Sequence, residues 1–175
     1  ALVITGSNMS GKSTLMRSLG VNIILANMGA PVAAKKFVLT PFDLRSSMRA
    51  RDDLEQGLSY FYAELHKLKQ VVDGVKPNGT APEPGVNRTV LFLLDEMLSG
   101  TNSRERGIGS RAVVNFLVDA GAVGIVATHD LMLSALAEER DKLQNFHFTD
   151  SISGDEIHFD YKLRTGPVQT SNALF

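Results

Sequence analysis

Three continuous apolar runs punctuate the chain: Ala1-Leu2-Val3-Ile4, Thr89-Val90-Leu91-Phe92-Leu93-Leu94, and Val123 to Ala127. Apolar runs of this length suit strands buried in a parallel sheet. Between them the pattern turns helical. Lys12 to about Met28 carries Leu15, Met16, Leu19, Ile23 and Ile24 at helical spacing, then stops at Gly29 with Pro31 soon after. Lys36–Leu39 and Asp43–Arg49 read as short strands separated by Thr40-Pro41, and Asp52 to about Val72 as a helix with Leu65, Leu68 and Val72 on one face.

Gly74 to Arg88 gathers prolines, glycines and asparagines without periodicity, which predicts a surface loop. A helix from about Glu105 to Asp119 precedes the third apolar run. Asp130 is placed to cap a further helix, running through Leu136 to about Lys142. Asn145–Thr149 and Glu156–Leu163 read as strands around the turn Ser153-Gly154-Asp155, an antiparallel edge added to a parallel core. The fold class expected is α/β, three-layered, with a mostly parallel central sheet.

Size allows one domain: 175 residues can bury one substantial core. No apolar stretch has the length of a membrane span, and no signal-peptide pattern is present, so a membrane role is not expected. The absence of cysteine excludes disulfides and thiolate metal sites and fits a cytoplasmic protein. A net charge of −1 offers no field for a polyanion, so DNA contact by this segment alone is expected to be weak. The abrupt start in a buried-type strand reads as a domain cut from a longer protein.

The chemistry sits at the ends of the apolar runs. Directly after the first stands Gly6-Ser7-Asn8-Met9-Ser10-Gly11-Lys12-Ser13, a complete GxxxxGK[ST] phosphate loop between a strand and a helix. Its glycines let successive N–H groups point at phosphate oxygens, and the following helix adds the positive end of its dipole. Lys12 is placed to reach the β- and γ-phosphates, and the Ser13 hydroxyl to ligate Mg²⁺. The second run ends in Asp95-Glu96, where open α/β sheets bind ligands. Asp95 would hold the Mg²⁺ shell, while Glu96 would orient or deprotonate an attacking water. The third run ends in Thr128-His129-Asp130, whose imidazole can reach the γ-phosphate region. His66, His147 and His158 have no such placement. There is no Asn-Lys-x-Asp guanine reader and no His/Glu cluster with zinc spacing. Arg104 and Arg106 could mimic a kinase lid, but Glu96 beside Asp95 favours water as the acceptor.

These residues resemble the C-terminal ATPase domain of the MutS family, the ABC-related ATPases of DNA mismatch repair, over nearly the whole chain. The family's Gly-Pro-Asn-Met-Gly-Gly-Lys-Ser-Thr is matched by Gly6 to Thr14, with Asn8-Met9 as a specific mark. Asp52 to Phe61 is similar to its Asp-x-x-x-x-Gly-x-Ser-Thr-Phe element, which implies that Ser59 caps the γ-phosphate held by the opposite subunit. The residues themselves leave Gly57 open between freeing a helix N-terminus as an anion cap and merely kinking a helix. Asp95-Glu96 with Gly100-Thr101-Asn102-Ser103, and Thr128-His129, match further family elements. Tyr161 stands where the family stacks a ring on adenine, with a core tyrosine as the alternative.

The resemblance implies ATP and Mg²⁺ as cofactors, a head-to-tail homodimer of ABC type with composite sites, and DNA contact through domains outside this chain. It also implies mismatch repair as the duty, through ATP-driven switching of a dimeric DNA clamp. Alternatives are a MutS-like ATPase acting on branched DNA or another nucleic-acid assembly, a phosphotransferase, and a module that merely holds nucleotide. The chain departs from the pattern at Ser7, Ser10, Tyr60, Met97-Leu98-Ser99 and Arg104-Glu105-Arg106, as a divergent branch would.

Overall fold

The computed structural model describes residues 1–48, 60–75, 89–153 and 156–168. A six-stranded sheet runs in the order β2-β3-β4-β1-β5-β8, formed by β1 (Leu2–Thr5), β2 (Asp43–Ser47), β3 (Val90–Asp95), β4 (Val123–Ala127), β5 (Gln144–His147) and β8 (Arg164–Thr165). All its neighbours are parallel except β5 and β8. The hairpin β6 (Asp150–Ser153) and β7 (Glu156–Phe159) stands apart as a second, two-stranded sheet.

Alternation along the buried strands builds two cores. Val3, Phe92, Leu94 and Val126 face α2 (Tyr60–Asp73), α3 (Ser103–Asp119) and α4 (Leu131–Glu139), meeting Leu68, Val71, Val114, Leu117, Leu133 and Leu136. Ile4, Leu93, Ile125 and Ala127 face the other way, onto Met16 of α1 (Lys12–Asn27). A strand with apolar residues on both faces must be covered twice, which makes three layers.

The sheet order brings the three motif ends together. β4 lies between β3 and β1, and Ala127 pairs with Asp95 on one side and with Ile4 on the other. Glu96, Thr128 and the phosphate loop therefore leave the sheet at the same level of its carboxyl edge.

Four expectations are corrected. Lys36–Leu39 is not a strand: Lys36 and Val38 are exposed, and the run joins neither sheet of the described residues. The buried face of α2 passes through Glu64, Leu68 and Val71, whereas Leu65 is exposed, so the helical stripe includes one acidic residue. The Asn145–Thr149 segment is no antiparallel edge; as β5 it pairs parallel to β1, and the antiparallel edge is the short β8. The strand expected over Glu156–Leu163 stops at Phe159, since Tyr161 adopts a left-handed backbone with φ 53°. Ser59 lies outside the described residues, as does the predicted loop beyond Val75 up to Arg88.

Candidate nucleotide site

The loop between β1 and α1 requires its two flanking glycines. Gly6 has φ 148°, and a Cβ there would sit 3.1 Å from the carbonyl oxygen of Phe148. Gly11 has φ 102° and directly precedes α1, with no side chain capping the helix. The first N–H groups of α1 thus face the loop, which makes an anion cradle. Asn8 and Met9 are exposed, with Met9 left-handed at φ 70° and 84% exposed.

Lys12 is buried, and its Nζ donates to the carbonyl oxygens of Gly6 and Ser7, each at 2.7 Å. The ammonium is thereby held at the mouth of the cradle. The Ser7 hydroxyl donates to Asp150 at 3.2 Å, tying the loop to the start of β6. Ser10 is buried and its Oγ has no hydrogen-bond partner. Residues 8–14 and Glu96 line one cavity of about 300 Å³, which brings Ser13, Thr14 and the end of β3 around the same space.

Asp95 is buried at 4% exposure, and neither carboxylate oxygen has a hydrogen-bond partner. Such a carboxylate demands a counter-charge. Asp95 and the Ser13 hydroxyl are hard oxygens of the kind that could hold Mg²⁺, which takes one or two protein oxygens and completes its shell with water and phosphate.

Glu96 is buried, with φ 51°. Its Oε2 lies 2.6 Å from Nδ1 of His129, while Oε1 is buried without a partner. On the far side of the ring, Nη1 of Arg106 lies 3.4 Å from Nε2 of His129. A guanidinium can only donate, so Nε2 accepts and the Nδ1–H donates to Glu96. Sequence reasoning saw Arg106 as a possible lid residue and missed this contact; its signal was the departure from the family pattern.

His129 is placed by the entry to α4. Asp130 caps that helix, accepting from the Met132 N–H at 2.8 Å, and Thr128 Oγ1 accepts from the Asp130 N–H at 2.9 Å. Across the site, Asn102 caps α3 by accepting from the Glu105 N–H at 2.9 Å. Hydrogen bonds from Thr101 and then Asn102 hold the Glu105 carboxyl below its ordinary range.

Tyr161 is not a core residue. Its ring is 65% exposed and stands beside Gly11, where a Cβ would come within 3.2 Å of its Cδ1. The neighbouring Asp160 accepts from Arg164 and from the Lys162 N–H, and these bonds, the Arg164 one foremost, hold its carboxyl down to about 2. His147 lies away from the site, its Nδ1–H donating to the Gly166 carbonyl oxygen at 2.9 Å, while His66 and His158 are exposed.

A family model described as MutS domain V matches residues 2–174. The chain is 33% identical over 171 residues to a DNA mismatch repair protein MutS of Natronomonas pharaonis, covering 97% of this chain and 19% of that protein. It is 33% identical over 174 residues to a protein of the same name from Streptococcus thermophilus, covering 98% and 19%. With DNA mismatch repair protein MutS 2 of Haloarcula marismortui it shares 35% over 171 residues, covering 97% and 17%. The chain thus spans about a fifth of the length of these relatives.

Proposed function

The chain belongs to the MutS family, and on that premise we propose that it is the Mg²⁺-dependent ATPase domain of a longer, cytoplasmic protein acting in DNA mismatch repair. The observation that carries the reading is the convergence of the phosphate loop, Asp95-Glu96 and His129 at the carboxyl ends of three neighbouring parallel strands.

Each residue has a task there. The loop N–H groups and the N-terminus of α1 receive the phosphates, and Lys12 turns from the carbonyls of Gly6 and Ser7 onto phosphate oxygens. Ser13 and Asp95 hold Mg²⁺, which when bound neutralises phosphate charge. Glu96 orients the attacking water and accepts its proton through Oε1, the oxygen that His129 leaves open. His129 keeps the Glu96 carboxylate from rotating. Tyr161, exposed beside Gly11 with its ring 6.1 Å from that of Phe159, offers a face for adenine.

The domain works in an ABC-type, head-to-tail pair in which Ser59 completes the partner's site. ATP binding closes the pair and hydrolysis releases it, so that DNA-binding parts elsewhere in the protein change their grip. The test is ATP turnover by the full-length protein with homoduplex, mismatched and branched DNA, alongside Glu96→Gln. Turnover stimulated by mismatched DNA, and at least ~100-fold slower in Glu96→Gln, is expected. No turnover, or normal turnover by Glu96→Gln, would overturn the proposal, and preferential stimulation by branched DNA would reassign the duty.

A further inference from the structure

Glu64 is a buried carboxylate that the proposed chemistry does not use. It lies on α2, 7% exposed, in the stripe that otherwise buries Leu68 and Val71. Its Oε1 accepts the Ser99 N–H at 3.1 Å, and its Oε2 has no hydrogen-bond partner. Taking a carboxylate out of water is costly, and a single backbone contact offsets little of that cost. Its location gives it a use.

Ser99 belongs to the turn that follows Glu96. That turn carries two left-handed non-glycine residues, Glu96 with φ 51° and Leu98 with φ 57°. Such backbone persists only where its surroundings over-determine it. The surroundings here come from two helices. From α2, Phe61 packs so closely on Gly100 that a Cβ there would lie 2.9 Å from the Phe61 Cβ, and Glu64 grips the Ser99 amide. From α3, Gly109 leaves room for Leu98, whose Cδ1 would come within 2.5 Å of a Cβ at that glycine. Met97 and Leu98 are themselves buried in the core.

We propose that Glu64 is a positioning residue: its carboxylate holds the turn at Ser99, and the turn holds Glu96 in the strained backbone that places it at the cavity. The inference rests on the ATPase reading for its catalytic consequence. α2 begins at Tyr60, directly after Ser59 in sequence, so the helix adjoining the serine assigned to the partner's site also fixes this chain's own Glu96. A shift of α2 is then felt at both sites of a pair.

The test uses the full-length protein with Glu64→Met, which keeps length and removes the acceptor, and Glu64→Gln, which retains a carbonyl acceptor. Glu64→Met is expected to bind ATP as the wild type does with KM unchanged, while kcat falls by about 100-fold, as for a misplacement of a catalytic group by about 1 Å. Exchange of the Ser99 amide should speed up in the same variant, and Glu64→Gln should restore both. Wild-type kcat in Glu64→Met, undiminished Ser99 protection, or failure of Glu64→Gln to rescue overturns the inference. Should Glu64→Met not fold, Glu64→Asp, one methylene short of Ser99, replaces it with the same readouts. Absence of turnover in the wild type would instead overturn the ATPase reading, and the Ser99 exchange would still decide whether Glu64 holds the turn.

Discussion

Nδ1 of His129 lies 2.6 Å from Oε2 of Glu96, joining the ends of β4 and β3 directly beside the phosphate loop. The contact assigns each oxygen of Glu96: one is held by the imidazole, and the other is left buried and open. In the proposed chemistry, a carboxylate held on one side keeps its orientation for the proton it is to accept, as preorganised catalysis requires.

Lys12 bridges the carbonyls of Gly6 and Ser7. Lys12→Ala removes both this brace and the charge-assisted contact to phosphate, a loss of roughly 1.5–3 kcal/mol in nucleotide binding. Isothermal calorimetry should show ATP affinity falling by at least about tenfold. Unchanged affinity would remove Lys12 from the site.

Asp95 has two buried oxygens without a partner. Asp95→Asn keeps the volume and halves the acceptor set, so the Mg²⁺ concentration needed for half-maximal ATP turnover should rise by at least about tenfold. Turnover with an unaltered Mg²⁺ dependence would show that the carboxylate serves another purpose.

Mixing subunits tests the assignment of Ser59. Ser59→Ala should leave ATP affinity of a subunit nearly unchanged, because Lys12 and the loop amides belong to the same chain, and should weaken ATP-dependent pairing. Combined with Glu96→Gln subunits, it forms heterodimers in which one composite site carries both lesions and the other neither. Partial recovery of activity is expected. Undiminished pairing by Ser59→Ala alone, with no recovery on mixing, counts against a role in trans.

Arg164 holds the Asp160 carboxyl down to about 2 from an ordinary 3.8. The lowered value means that this link is present above the ordinary pKa and is lost as pH falls through about 2. Arg164→Ala should return the titration of Asp160 toward the ordinary carboxylate range, read by carbon NMR of the side chain, and should disorder the turn that presents Tyr161. A titration that stays put would assign the shift to the Lys162 N–H, which donates to the same carboxylate at 3.0 Å.

The residues of the candidate site could be singled out in the chain because each belongs to a local pattern. The phosphate loop, Asp95-Glu96 and His129 all follow apolar runs, and an apolar run buried on both faces reports its own role in a parallel sheet. Partnerships across the chain were not legible. His129 and Glu96 are 33 positions apart, Glu64 and Ser99 are 35, and only the placement of β4 between β1 and β3 and the packing of α2 against the turn bring them together. The periodicity of α2 could not tell Glu64 from Leu65, since the helix's rotation is set by what it packs against. Composition and spacing are properties of neighbours in sequence and determined the three buried strands β1, β3 and β4, the phosphate-loop pattern and the acidic pair. Which oxygen of Glu96 is held, which acid is buried and which ring is exposed depend on contacts between distant segments, and those the tertiary structure decided.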